Sequence, residues 1–150
     1  MPQSLTSILV HIIFSTKNRN PFIDSHIEEE LYSYMSSVFR ACESPAIKIG
    51  GTNDHVHILF ALSKTRSISE VVEKVKTSTS KWIKTKGGKY RKFFWQHGYA
   101  AFSIGKSGQS KLISYIENQK AHHKKVTFQE ELSSFLKKYN VEFDERYIWD

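Results

Sequence analysis

The stretch NDHVHILF, Asn53 to Phe60, decides how the chain is read. Its β-branched and aromatic residues, entered from the turn-forming Thr52-Asn53-Asp54, predict a strand. Side chains alternate along a strand, so Val56, Ile58 and Phe60 share one face while His55 and His57 share the other. The first three make a face for burial. The two imidazoles stand about 7 Å apart along the strand, close enough to reach one metal ion between them. Two readings fit such a pair: unrelated histidines on a half-exposed strand, or two ligands of a cation. Two ligands do not complete a catalytic metal site, which needs a third and an open position.

Upstream, AIKIGG (46–51) follows Pro45 and predicts a strand that forms a hairpin with the histidine strand. Before it, LTSILVHIIFST (5–16) reads as a first strand, broken by NRNPF. DSHIEEELYSYMSSVFRAC (24–42) reads as a helix with the apolar stripe Ile27, Leu31, Met35, Val38 and Cys42, opened by a Ser25–Glu28 capping box. Downstream, SISEVVEKVKTSTSKWIKTKGG (67–88) predicts a second helix, capped by Ser67 with Glu70 and ended by Gly87. Its apolar side carries Ile68, Val71, Val72, Val75 and Trp82, and its other side Lys74, Lys76, Lys81 and Lys84. YAAFSIG (99–105) is a strand, SGQSKLISYIENQKAHHKK (107–125) a third helix, and TFQEELSSFLKKYN (127–140) a fourth, opened by a Thr127–Glu130 capping box. The tail VEFDERYIWD (141–150) has no clear period, and a packing or dimer role is all that is expected of it. The order predicts an α+β fold: an antiparallel sheet with helices packed on one face, followed by C-terminal helices.

The chain has 150 residues and no repeat, low-complexity segment or linker, so residues 1–150 are expected to be one domain. Hydrophobic residues at 39% and charged residues at 25% fit a soluble globular protein. A net charge of +7 suits a polyanionic partner, nucleic acid or an acidic membrane surface, though solvated lysines alone produce the same excess. The lone Cys42 excludes a disulfide framework and a cysteine zinc site, and reads as a small buried residue. The N-terminal apolar run lacks a basic segment ahead of it, is interrupted by His11, and is too short to span a bilayer. A cytoplasmic protein with no membrane partner is expected.

The third helix offers what the histidine pair lacks. Tyr115 and Gln119 are four apart and project from one helical face. A glutamine amide oxygen can ligate a cation, and a tyrosine beside it would adjoin whatever the cation holds. Separately, Tyr115 is an ordinary amphipathic core residue and Gln119 a solvated one. KYRKFFWQHGY (89–99) interleaves cations and aromatics as single-strand binders do, although at least two of Phe93, Phe94 and Trp95 suit the core better.

Together these features resemble the single-tyrosine HUH transposases, the IS-two-hundred-like TnpA enzymes of small insertion sequences. The resemblance covers nearly the whole chain. It rests on HIIFSTKNRNPFI, NDHVHILF, VVEKVKTSTSKWI, FWQHGYAAFSIGKS and YIENQKAHHKKVTFQEE, and above all on HVH followed by Tyr-x-x-x-Gln. It implies the HUH nuclease fold, ferredoxin-like and akin to RNA-recognition modules. It implies His55 and His57 as metal ligands, Gln119 as the third, and Tyr115 as the nucleophile. It further implies Mg²⁺ or Mn²⁺ as cofactor, single-stranded DNA with hairpin ends as partner, and a homodimer.

The implied chemistry suits the residues. Two neutral imidazoles and an amide leave a cation's charge free to polarise a phosphoryl oxygen, and this mixed set suits Mn²⁺ better than Mg²⁺. Attack by Tyr115 keeps the bond energy in a 5′-phosphotyrosyl link, so rejoining needs no ATP, in line with the lack of a glycine-rich phosphate loop. No base for the phenol proton is identifiable. Asp54 is either a turn residue or a group that orients His55, and His122 either touches the site or belongs to a solvated basic helix end with His123, Lys124 and Lys125. Lys74, Lys76, Lys81, Lys84, Lys89 and Arg91 are candidates for DNA contact or a water-facing surface. A domesticated, repeat-associated enzyme of the same chemistry fits the same residues. A single-stranded nucleic-acid-binding module without catalysis would leave Tyr115 and Gln119 idle, and a water-using phosphoesterase would not need Tyr115.

Overall fold

The computed structural model describes residues 2–146 and 148. Four strands, β1 (Leu9–Ser15), β2 (Ala46–Gly51), β3 (His55–Ala61) and β4 (Ala100–Ile104), form one antiparallel sheet in the order β2-β3-β1-β4. The expected 46–61 hairpin is present, with Gly50 opposite His57. β1 starts later than its apolar run suggests. Its ladder begins where Leu9 meets Ala61 and Ile104, so Leu5 has no partner strand and is 84% exposed.

Alternation sorts the sheet into two buried faces. Val10, Ile12 and Phe14 of β1 join Val56, Ile58 and Phe60 of β3 in the main core. Two helices cover that face, α1 (Glu28–Ala41) and α2 (Ile68–Lys84). The predicted stripe Ile27, Leu31, Met35, Val38 and Cys42 is buried, as are Val71, Val72 and Val75. The opposite face carries Ile13, Leu59 and Phe102. It is covered by α3 (Gln109–Glu117), the single turn α4 (Gln119–His122) and α5 (Phe128–Lys138). The predicted α+β sandwich is therefore present, and the C-terminal helices close its second face. Because both faces are covered, β3 is buried from His55 to Phe60.

Two local expectations fail for identifiable reasons. Ser25 does not cap α1: the Asp24 carbonyl takes the Ile27 and Glu28 amides, and the Asp24 carboxylate accepts from the His26 amide. The predicted third helix is not continuous. It breaks at Asn118, whose φ of −95° and ψ of 15° leave the helical well. A short amide that competes for backbone partners makes asparagine a poor residue for a helix interior.

The other two caps form as expected, with Ser67 accepting from the Glu70 amide and Thr127 from the Glu130 amide. α2 ends at Lys84 with Thr85 as its C-cap, and the positive φ of Gly87 (74°) follows in the turn. Phe93 and Trp95 are buried while Phe94 faces out. Within the tail, Phe143 and Ile148 pack beside the α5 cluster, whereas Tyr147, Trp149 and Asp150 lie outside the described residues.

Candidate metal and nucleophile site

β3 delivers His55 and His57 to the face beneath the C-terminal helices, where both are fully buried with ring centroids 5.3 Å apart. Each ring is fixed from behind. His55 Nδ1 lies 2.8 Å from Asp54 Oδ1 and 2.9 Å from Thr52 Oγ1. His57 Nδ1 lies 2.9 Å from Nε2 of His11, its neighbour on β1. Asp54 thus serves both readings of it, ending the turn and holding its neighbour's ring. With the rear nitrogens engaged, the two Nε2 atoms meet the C-terminal helices. His55 Nε2 is 3.0 Å from Gln119 Oε1, and His57 Nε2 is 2.8 Å from Glu131 Oε1.

Glu131 is the hub. It is 3% exposed on α5, yet six side chains meet its carboxylate, His55 among them with Nε2 at 3.6 Å from Oε1. Besides His57, Oε1 lies 3.0 Å from His123 Nε2. Oε2 accepts from Gln119 Nε2 at 3.0 Å and from the Tyr115 hydroxyl, with His122 Nε2 at 3.4 Å. Tyr115 comes from α3 and Gln119 from the separate turn beyond Asn118, so two short elements bring to one carboxylate what one long helix was expected to bring. His122 Nε2 is also 3.3 Å from the Tyr115 oxygen.

The charges follow from these contacts. Burial alone would depress the His55 imidazole, but its interactions as donor to the Asp54 and Glu131 carboxylates outweigh it and raise its pKa to about 9. His57 has no second carboxylate, and burial wins, lowering it to about 4. Burial and the neighbouring His57 bring His11 to about 3. Burial opposes ionisation of Glu131, yet the close imidazoles of His123, His55 and His57 hold it well below the usual carboxylate range. Burial and then Glu131 push the Tyr115 phenol above its ordinary value. Proton positions follow: neutral His57 donates through Nε2 to Glu131, accepts at Nδ1 from His11 Nε2, and leaves His11 Nδ1 as a buried atom with no hydrogen-bond partner.

A divalent cation fits this set. One donor atom each from His55, His57, His123 and Glu131 lies within 4.8 Å of the others. His123 Nε2, though 3.0 Å from Glu131, has no hydrogen bond of acceptable geometry, and a buried imidazole nitrogen left so is a ready ligand. Gln119 Oε1 adds an amide oxygen on the same side. Nitrogen-rich sets of this kind favour Mn²⁺ and its heavier neighbours over Mg²⁺.

Glu131, His123 and His11 escaped the sequence reading. Glu131 nevertheless left a signal: it occupies a position of the apolar stripe Phe128, Leu132, Phe135 and Leu136, where a carboxylate needs a reason. Of the candidate DNA contacts, Lys74, Lys81, Lys89 and Arg91 are exposed. Lys89 pairs with Asp24 at 2.5 Å. Lys84 sits over the Phe94 ring at 4.2 Å. Lys76 is turned inward and donates to the carbonyls of Gln96 at 2.8 Å and Gly98 at 2.5 Å.

The family model described as "Transposase IS200 like" matches residues 4–119, a span that includes His55, His57, Tyr115 and Gln119 and stops short of Glu131. Two solved structures share the fold. One is a Deinococcus radiodurans R1 protein described as a candidate transposase, with a TM-score of 0.62 and 17% identity over 79% of this chain and 98% of that one. The other is a REP-associated tyrosine transposase bound to a REP hairpin, with a TM-score of 0.62 and 15% identity over 91% of this chain and 86% of that one. No curated protein matches the chain significantly. Among the described residues no helix is long and apolar enough to cross a membrane.

Proposed function

Because the chain belongs to the IS200-like transposase family, we propose that it cleaves and rejoins single-stranded DNA at hairpin-marked insertion-sequence ends. The observation that carries this reading is the convergence of Tyr115, His57 and Gln119 on one buried carboxylate, with His55 alongside. Tyr115 Oη attacks the scissile phosphorus, forming a 5′-phosphotyrosyl bond and releasing a 3′-hydroxyl. Attack by a 3′-hydroxyl on that bond reverses the step and frees the phenol. The phenol proton passes to His122 Nε2, 3.3 Å away, and is returned from there to the departing 3′-oxygen, which leaves as the hydroxyl.

His55, His57 and Gln119 would hold Mn²⁺ or Mg²⁺, with Glu131 as an added donor and His123 beside it. The bound cation supplies Lewis acidity at the phosphoryl oxygen and a positive charge that offsets Glu131 beside the phenol. Asp54 and His11 keep the two imidazoles turned inward. Lys74, Lys81, Lys84, Lys89 and Arg91 contact hairpin phosphates, while Lys76 contributes field rather than contact. One tyrosine per chain and two ends to hold make a homodimer the expected working unit. The hairpin-bound relative supports a second reading of the same chemistry, action on dispersed repeats rather than on the protein's own element.

The test is covalent trapping on a denaturing gel, with labelled single-stranded DNA from the flanking sequence and Mn²⁺. A protein–DNA band that requires Mn²⁺ and disappears in Tyr115→Phe is the expected result. Cleavage that survives Tyr115→Phe without any covalent band would mean a water-using nuclease. Binding alone, with cognate hairpins supplied, would mean a binding module.

A further inference from the structure

Residues 93–96 run extended against the end of β1. The Lys17 amide donates to the Phe94 carbonyl at 2.8 Å, Thr16 forms a bridge with Trp95, and the Gln96 amide donates to the Ser15 carbonyl at 2.9 Å. Alternation along this segment turns Phe93 and Trp95 into the core and Phe94 outward. An outward position on a rigid segment is ordinarily polar. Here it holds a phenyl ring that is 56% exposed, with the Lys84 ammonium 4.2 Å from its centroid. The ring lines a groove of about 480 Å³ between α2 and the 94–99 segment, shared with Lys81, His97 and Tyr99, the last 40% exposed.

Exposed aromatic faces beside cations suit one ligand chemistry in particular. Flat bases stack on the rings while lysines meet the phosphates, and stacking of this kind tolerates any base sequence. A protein or lipid partner would be met by contiguous apolar surface, and this groove is interrupted by Lys81, Lys84 and His97. From this we infer that Phe94 and Tyr99, with Lys81 and Lys84, form a stacking platform for unpaired bases of single-stranded DNA. The inference deepens the DNA-processing reading and rests on it. Ser15 pairs with His55 on one side and accepts from the Gln96 amide on the other, which puts the backbone of Gln96, two residues from Phe94, about 10 Å, two strand spacings, from that of His55.

The experiment measures fluorescence anisotropy of a labelled oligo(dT) about fifteen nucleotides long, in chelator, on a Tyr115→Phe background. An abasic oligomer of equal length is the second probe. Phe94→Ala is expected to weaken oligo(dT) binding at least about fivefold, the lower end of what one stacked base is worth, and to leave abasic binding unchanged. Phe94→Trp is expected to retain binding. Equal binding by Phe94→Ala, equal loss on both probes, or no oligo(dT) binding by the Tyr115→Phe background protein overturns the platform. A dimer that becomes a monomer on Phe94→Ala, with DNA binding intact, overturns it in favour of a self-contact. Neither metal nor tyrosine enters this measurement, so failure of the trapping assay is separable from failure of the platform.

Discussion

Glu131 concentrates more bonds than any single residue of the site, and replacing it separates two of its effects. In Glu131→Gln the shape is kept and the charge is lost. A charged donor leaves the cation set, so Mn²⁺ affinity by calorimetry is expected to fall at least about tenfold. The Tyr115 phenol, held high by burial and then by Glu131, is expected to ionise at lower pH in chelated Glu131→Gln, read by phenolate absorbance against Tyr115→Phe. His55 gives a pH signature. Its folded value of about 9 lies above the ordinary 6.5, so its stabilising contribution is complete below 6.5 and lost as pH rises through 9. Chelated protein is expected to melt at a lower temperature at pH 9 than at pH 6.5, while Mn²⁺ binds more tightly over that window because the ligand must be neutral. Of these residues, His55 and His57 were legible because strand alternation separates them from Val56 and Ile58. Glu131 was not, because its role depends on where α5 folds back, which no local pattern states.

At the scale of elements, the proposed nucleophile, Tyr115, is placed by how closely α3 approaches β2. A Cβ on Gly50 would stand 2.6 Å from the carbonyl oxygen of Ile116, the residue after Tyr115. Gly50→Ala must therefore push α3 outward. The expected cost is about 1–3 kcal/mol in urea unfolding, together with a loss of trapped covalent product greater than that of an equally destabilised core variant. Element order, the hairpin and the caps at Ser67 and Thr127 were legible, since each rests on near neighbours in sequence. The break at Asn118 was not, because helical periodicity runs on through it. Ser25 lost its capping role to Asp24 because both residue types suit the position and the competition is settled by the turn geometry.

For the whole molecule, the charge of +7 matters through where it lies. Five proposed phosphate contacts, Lys74, Lys81, Lys84, Lys89 and Arg91, predict that log K for single-stranded DNA falls with log salt at a slope of about −3.5. Replacing Lys81 and Lys84 together with Gln is expected to make that slope shallower by about 1.4. A slope near zero would show that these cations only face water. The sheet adds a constraint of its own: with its second face closed by α3, α4 and α5, the same packing that completes the fold also completes the site.

The gathering of His55, His57, His123 and Glu131 has a practical consequence at the chromatography bench. Imidazole-rich sites bind nickel more tightly than manganese. If the proposed site holds a cation, protein captured on nickel resin is expected to leave the column already loaded, and an assay begun from it to report the resin's metal. Elemental analysis is expected to find nickel in the tagged protein, little of it in His57→Ala, and none after dialysis against chelator.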